Sequence, residues 1–260
     1  MRLLILTPKS LFICSLLILA FSSCTTVQYG VPDIEGPVGF KPLATYRSDS
    51  LTKATFISGS LQFNRANQAY DSNEKMRFGR LSITRAMTEK GLGLSYGIQA
   101  YRGNYRVNPL RANPGSYSFY GAGASFSLDL RVVGSSFSRG RITPKIGLNY
   151  EGGDFREFRR ITQNQEGIEN LHRRALTLHY GLGFLLDIDT GPVTLGLQYY
   201  AGVVRNSSNS AVFSLSGFLN YKNYTLFSSG GLIDEGTNRE YYETISFGIA
   251  YRLPNISKNK

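Results

Sequence analysis

Residues 91–97 of this 260-residue chain read Gly-Leu-Gly-Leu-Ser-Tyr-Gly, and within them G-L-S-Y-G matches the G-x-S-x-G pattern that presents a nucleophilic serine. That pattern works when a sharp turn between a strand and a helix exposes the hydroxyl, with an acid and then a histidine further along the chain. Here Gly93, Ser95, Gly97 and Gln99 alternate with Leu92, Leu94, Tyr96, Ile98 and Ala100. Such alternation is the signature of mid-strand, so the required turn is missing and Ser95 is assigned to a strand face rather than to catalysis. The glycines then face an interior too narrow for large side chains.

Other chemistry is limited by supply. The only histidines are His172 and His179, and neither a His-x-x-x-His pair nor a cysteine set exists, so no metal or other cofactor is expected. His172 lies in the longest polar segment near Asp154, Glu166 and Glu169, the one place where acid–base chemistry at a rim is open to the chain; otherwise it is a solvated loop histidine. Asp129, Arg131, Lys145, Asp187, Asp189 and Arg252 fall on polar rows near one end of their strands. Unpaired charge in a narrow interior is costly, so these six are expected to pair across neighbouring strands and plug the lumen. The run Asp154-Phe155-Arg156-Glu157-Phe158-Arg159-Arg160 mixes charge with aromatic residues that are expected to be exposed. Phe155, Arg156, Phe158, Arg159 and Arg160 then either contact lipopolysaccharide phosphates as part of a solvated loop or form a docking surface for another envelope component.

The elements that carry these residues follow from patterning. Arg2 and Lys9 precede the apolar run from Leu11 to Phe21, which is too short to span a bilayer as a helix and fits a signal-peptide core. It ends in Phe21-Ser22-Ser23-Cys24, which resembles the lipobox of bacterial lipoproteins, with Phe21 where that family prefers leucine. The resemblance implies cleavage after residue 23 and a lipidated Cys24, hence an outer-membrane protein anchored through that residue. The other cysteine, Cys14, lies in the leader, so no internal disulfide is expected. Residues 24–53, punctuated by Gly30, Pro32, Gly36, Pro37 and Pro42, read as a tether.

From residue 54 to residue 253 the period is two. Tyr120, Ala122, Ala124, Phe126, Leu128, Leu130 and Val132 oppose Gly121, Gly123, Ser125, Ser127, Asp129 and Arg131, and the same split of apolar against small or polar recurs in ten segments. Many exceed the roughly 9 to 11 residues with which a tilted strand crosses a bilayer. Tight turns at 88–91, 189–192 and 221–224 follow even-numbered strands, with a looser connection over residues 133–141 before a strand read from Ile142, and longer polar connections follow odd-numbered ones. Tyrosines cluster toward strand ends at Tyr120, Tyr150, Tyr221, Tyr224 and Tyr251, as in an aromatic girdle. The predicted fold is an all-β, antiparallel, up-and-down transmembrane barrel of ten strands, followed by a tail over residues 254–260. Ser246-Phe247-Gly248-Ile249-Ala250-Tyr251-Arg252-Leu253 resembles the C-terminal signal strand of outer-membrane proteins, ending in leucine rather than phenylalanine.

The formal charge of +11 fits anionic lipid headgroups in an exported chain and makes nucleic acid the wrong partner class. The expected function is that of a non-catalytic, lipid-anchored barrel with a plugged lumen, an accessory subunit beside another membrane protein in a secretion or uptake complex. A narrow small-solute pore and a lipid A- or peptide-processing enzyme are the competing readings.

Overall fold

The computed structural model describes residues 52–67, 74–89, 91–107, 114–134, 138–162, 175–206, 209–234 and 241–254. Ten strands, β1 (Thr52–Asn67), β2 (Lys75–Glu89), β3 (Leu92–Val107), β4 (Gly115–Gly134), β5 (Ser138–Gly152), β6 (Leu176–Asp189), β7 (Val193–Arg205), β8 (Asn209–Tyr221), β9 (Tyr224–Asp234) and β10 (Tyr241–Arg252), pair with their neighbours in sequence. The last pairs with the first and closes the barrel, with every ladder antiparallel. Closure removes both sheet edges, so each strand's backbone groups are satisfied within the fold, as a strand crossing lipid requires. Among the described residues a helix, α1 (Asp154–Thr162), lies in the connection between β5 and β6, where the sequence suggested only a polar loop.

Period-two patterning sets the orientation of every strand. Leu61, Leu81, Ile98, Phe126, Ile146, Leu182, Leu197, Leu215, Leu226 and Phe247, one from each strand, all face outward and are exposed. In water such a surface would be a large uncompensated cost; against hydrocarbon it is the expected exterior. Tyr120, Tyr150, Tyr221 and Tyr224 are exposed on the same face, and Tyr224 lies 5.1 Å, ring to ring, from Tyr251.

The inner rows are small where they must be. A Cβ on Gly147 would overlap the His179 ring, one on Gly196 the Phe218 ring, and one on Gly121 the Tyr101 hydroxyl. These glycines make room for the large side chains that share their layer.

At one rim the connections are tight. Lys222 adopts φ 53° in the two-residue link between β8 and β9, and Gly191 adopts φ 95° after β6, where its N–H donates to Asp189 Oδ1 at 2.9 Å. The expected loose connection over residues 133–141 is shorter than the sequence suggested: β4 runs on to Gly134 through a register shift between Arg131 and Val133, and β5 begins at Ser138. Such a bulge bends the strand and lets pairing continue to the rim. The opposite rim holds the longer connections, except that only residues 206–208 join β7 to β8.

Candidate functional site: a lumen filled from both ends

At the loop end the filling comes from α1. Gly153, at φ 108°, turns the chain out of β5 where a Cβ would meet Ser118 O at 2.8 Å. Asp154 then accepts a hydrogen bond from Ser118 Oγ at 2.6 Å and fixes the start of the helix against β4. Asp154 and Glu157 in the first turn and Arg159 and Arg160 in the last match the polarity of the helix dipole. The buried face carries Phe155, Phe158 and Thr162, at the i, i+3, i+7 spacing of a single helical stripe.

That stripe meets aromatic residues aimed inward from the strands. Phe155 stacks on Tyr105 with centroids 4.1 Å apart, and Phe158 stacks on Tyr117 at 4.2 Å. Phe119 lies 6.3 Å from Phe155 and meets Phe78 edge-on at 5.7 Å; Met76, Tyr101 and Val107 complete the cluster. The charged members are paired. Arg159 bridges to Glu151 and lies 4.7 Å over the Phe155 ring, and the Tyr105 hydroxyl donates to Glu74. The expectation of exposed aromatics in this segment is thereby corrected: Phe155 is 0 % and Phe158 5 % exposed. Arg159 is buried with them and Arg156 half-buried, which leaves Asp154, Glu157, Arg160 and Ile161 on the outside. There Arg160 donates to both Glu157 oxygens, at 2.6 and 2.9 Å, and holds that carboxyl below its usual range.

At the turn end the filling is ionic. Arg141 Nη2 reaches Asp187 Oδ2 at 2.6 Å, while Arg139 spans Asp187 Oδ1 at 3.3 Å and Asp189 Oδ2 at 3.1 Å. Thr143 donates to Asp129 at 2.7 Å. The register explains the cluster: Arg139 lies opposite Asp187 across β5 and β6, and Arg141 takes the diagonal. Asp187 and Asp189 are thus brought together, Asp129 is bonded to Thr143 across β4 and β5, and buried Lys145 and half-buried Arg252 lie on the same inner face. Arg131 is exposed at the rim, where its backbone N–H donates to Gly91 O at 3.0 Å. Arg139 and Arg141 are not in the predicted set because they fall in the expected connection before Ile142; β5 instead begins at Ser138, and the two arginines extend the inner row of Thr143 and Lys145.

Between the two ends polar links run along the inner wall, from strand to nearby strand. Ser95 and Ser127 share a 2.9 Å hydroxyl contact and both are buried. Gln99 donates to Asn149 at 2.9 Å, and Asn149 Nδ2 lies 3.2 Å from His179 Nδ1. Leu185, the exception to the polar row of β6, packs on Phe218. Ser95 therefore sits on a strand face with a hydroxyl partner, not on a turn. Cys24 and His172 fall outside the described residues, and so do the leader and most of the tether. Among the described residues no cluster of three or more potential metal ligands occurs.

A closed ten-stranded barrel with an apolar, tyrosine-bordered exterior and a filled interior defines the class: an outer-membrane β-barrel. No family model matches the chain, and no curated protein does. Among solved structures, the β domain of the Bordetella autotransporter BrkA is similar over 77% of this chain and 99% of its own, at 12% identity and TM-score 0.47. An outer membrane channel from Pseudomonas putida F1 covers 77% and 95% at 10% identity and TM-score 0.37. The outer membrane protease OmpT from Escherichia coli covers 78% and 96% at 8% identity and TM-score 0.35. At these identities and scores no activity passes from those proteins to this one.

Proposed function

We propose that this protein is a non-conducting, non-catalytic outer-membrane barrel, anchored a second time through lipidated Cys24, that serves as a structural or accessory subunit beside another membrane protein. The observation that supports the reading is the aromatic packing around α1 at the loop end, with the buried Arg139–Asp187–Arg141 cluster at the turn end; together these would close the lumen. A pore needs a continuous wet path, and a hydrolase needs a nucleophile or activated water beside a base at an accessible surface. The described lumen instead spends its polar groups on one another. A barrel that is both inserted and lipid-tethered is held at the membrane more firmly than insertion alone requires, which suits a positioning role.

The reading is tested by reconstituting the full chain in planar bilayers and by native purification from outer membranes. Silence in the bilayer and a co-eluting membrane protein support it. Steady single-channel conductance overturns the plugged barrel, and a strictly monomeric preparation without partner overturns the accessory role. Palmitate labelling that survives a Cys24→Ser substitution overturns the anchor.

A further inference from the structure

The outer face of β1, β2 and β3 differs from the rest of the barrel at the loop end. Arg65 pairs in register with Lys75, and Lys75 with Arg106, so three cations stand side by side on adjacent strands. Arg77 follows one outward position nearer the bilayer centre, opposite Asn104, and then Arg102, which lies between Gly79 on β2 and Tyr120 on β4. All five are exposed on the outside, and Glu243 on β10 stands opposite Arg65 alone. Like charges directly opposed across a ladder are destabilising, so Lys75 beside Arg106, with Arg77 and Arg102 below, is an arrangement that an external anion would stabilise. Among the described residues, the other outward strand positions at this rim are neutral or acidic, with Ser116 and Ser118 on β4 and Asp234 on β9, save Arg205 on β7.

Below the cations is a groove of about 710 Å³, lined by Gly59, Leu61, Gly79, Leu81, Arg102 and Phe247 among others. Its glycines have a different cause from those of the lumen. A Cβ on Gly59 or Gly79 would meet its nearest neighbour at 3.6 or 3.7 Å, ordinary contact, so the barrel does not need glycine there. What the glycines produce is a recess in an otherwise leucine-covered exterior, continuous at Arg102 with the basic face. Outward Gly217 and Gly230, on β8 and β9, have only Leu197, Ser228, Leu215 and Ile245 beside them in register, and no cation.

The geometry points to a specific lipid site: the β1–β3 exterior binds one phosphorylated, multiply acylated glycolipid of the lipid A type, with phosphate on Arg77, Arg102, Arg106 and Lys75 and an acyl chain in the Gly59–Gly79 groove. Arginine forks match phosphate oxygens, and the interface is less polar than water, so each contact is stronger than on a soluble surface. The long-loop rim is the one that faces outward in a barrel of this type, which puts the cations in the leaflet where such lipids reside. The inference rests on the membrane-barrel reading and not on the plugged lumen.

The test begins with flotation of the full chain on phospholipid vesicles; failure to float removes the membrane reading itself. With a floating protein, native mass spectrometry from detergent compares bis-phosphorylated lipid A, the same lipid without phosphates, and phosphatidylglycerol. A retained lipid A adduct is expected, with at least about tenfold less of the other two, and at least about tenfold less in an Arg77→Gln/Arg102→Gln variant. Gly79→Leu, which fills the groove without touching the lumen, should also lower occupancy while heat-modifiable migration stays unchanged; Arg205→Gln should leave occupancy unchanged. Equal binding of phosphatidylglycerol, equal occupancy in the double arginine or Gly79→Leu variants, or a dimer of the chain lost on Gly79→Leu overturns the site.

Discussion

The loop end of the lumen is filled by a segment that is not part of the sheet, whereas the turn end is lined by an ionic cluster whose side chains cannot leave it. α1 brings Phe155 and Phe158 in from the β5–β6 connection, held by stacking, the Ser118–Asp154 hydrogen bond and the Arg159–Glu151 pair. Arg139, Arg141, Asp187 and Asp189 belong to two strands already bonded to each other, and their contacts follow from register. An apolar plug on a connection can undock while every ladder survives; an ionic cluster within a ladder fails only with its strands. The first is local and separable, the second is part of global stability.

The largest effect should therefore come from Asp187→Ala. It removes the shared partner of Arg139 and Arg141 and leaves charge uncompensated inside the barrel, at a cost of about 3–5 kcal/mol in urea unfolding from lipid vesicles. Replacing both Arg141 and Asp187 with leucine should recover most of that loss, because the pair's desolvation cost leaves with its attraction. Phe155→Ala comes next. Truncating a fully buried aromatic ring typically costs about 3–5 kcal/mol, but here most of it should appear as undocking of α1: protease cleavage within 153–175 rises on the order of a hundredfold, while the urea midpoint of the barrel moves little. A midpoint that falls as far as in Asp187→Ala would break the contrast between the two ends. Phe158→Ala should be weaker, about a tenfold rise in cleavage, since its ring lies at the outer margin of the cluster against half-buried Tyr117.

The two ends left different traces in the sequence. Strand number and the sorting of inner from outer rows were legible throughout, because a two-residue period sustained over ten segments leaves little freedom in which face meets lipid. The carboxylates of the turn-end cluster were legible too, since Asp187 and Asp189 end the polar, glycine-containing row of β6; their arginine partners were not, because β5 begins at Ser138, four residues before the alternation that starts at Ile142. The helix was hidden for a physical reason. Nine residues give about two and a half turns, too few for a 3.6-residue period to stand out, and with three arginines and two acids the segment reads as solvated. Its stability comes from Tyr105, Tyr117 and Phe119 on distant strands, and only the Phe155, Phe158, Thr162 spacing carried a trace of that. The β1–β3 exterior was harder still, because Arg65, Lys75, Arg77, Arg102 and Arg106 converge only once register is known.

The smallest expected effect lies on the exposed side of the plug. Glu157 is held below the usual carboxylate range by the hydrogen bonds from Arg160, while unfolded glutamate titrates near about 4.3. A group whose folded value is depressed stabilises the folded arrangement above the unfolded value and loses that contribution as pH falls through the folded one. Docking of α1 should thus weaken slightly on acidification from pH 7 to pH 3, with no corresponding change between pH 7 and pH 9. The pair is solvent-exposed and screened, so hydrogen exchange of the α1 amides should differ by less than about twofold between the parent and Glu157→Gln at pH 7. Comparing the two chains at each pH cancels the intrinsic pH dependence of exchange: the difference should fade as pH falls through the folded value of Glu157, below which both carry a neutral side chain, and shrink in high salt. A difference that neither acidification nor salt reduces would trace to packing rather than charge, and the outer surface of α1 would then be as tightly built as its buried face.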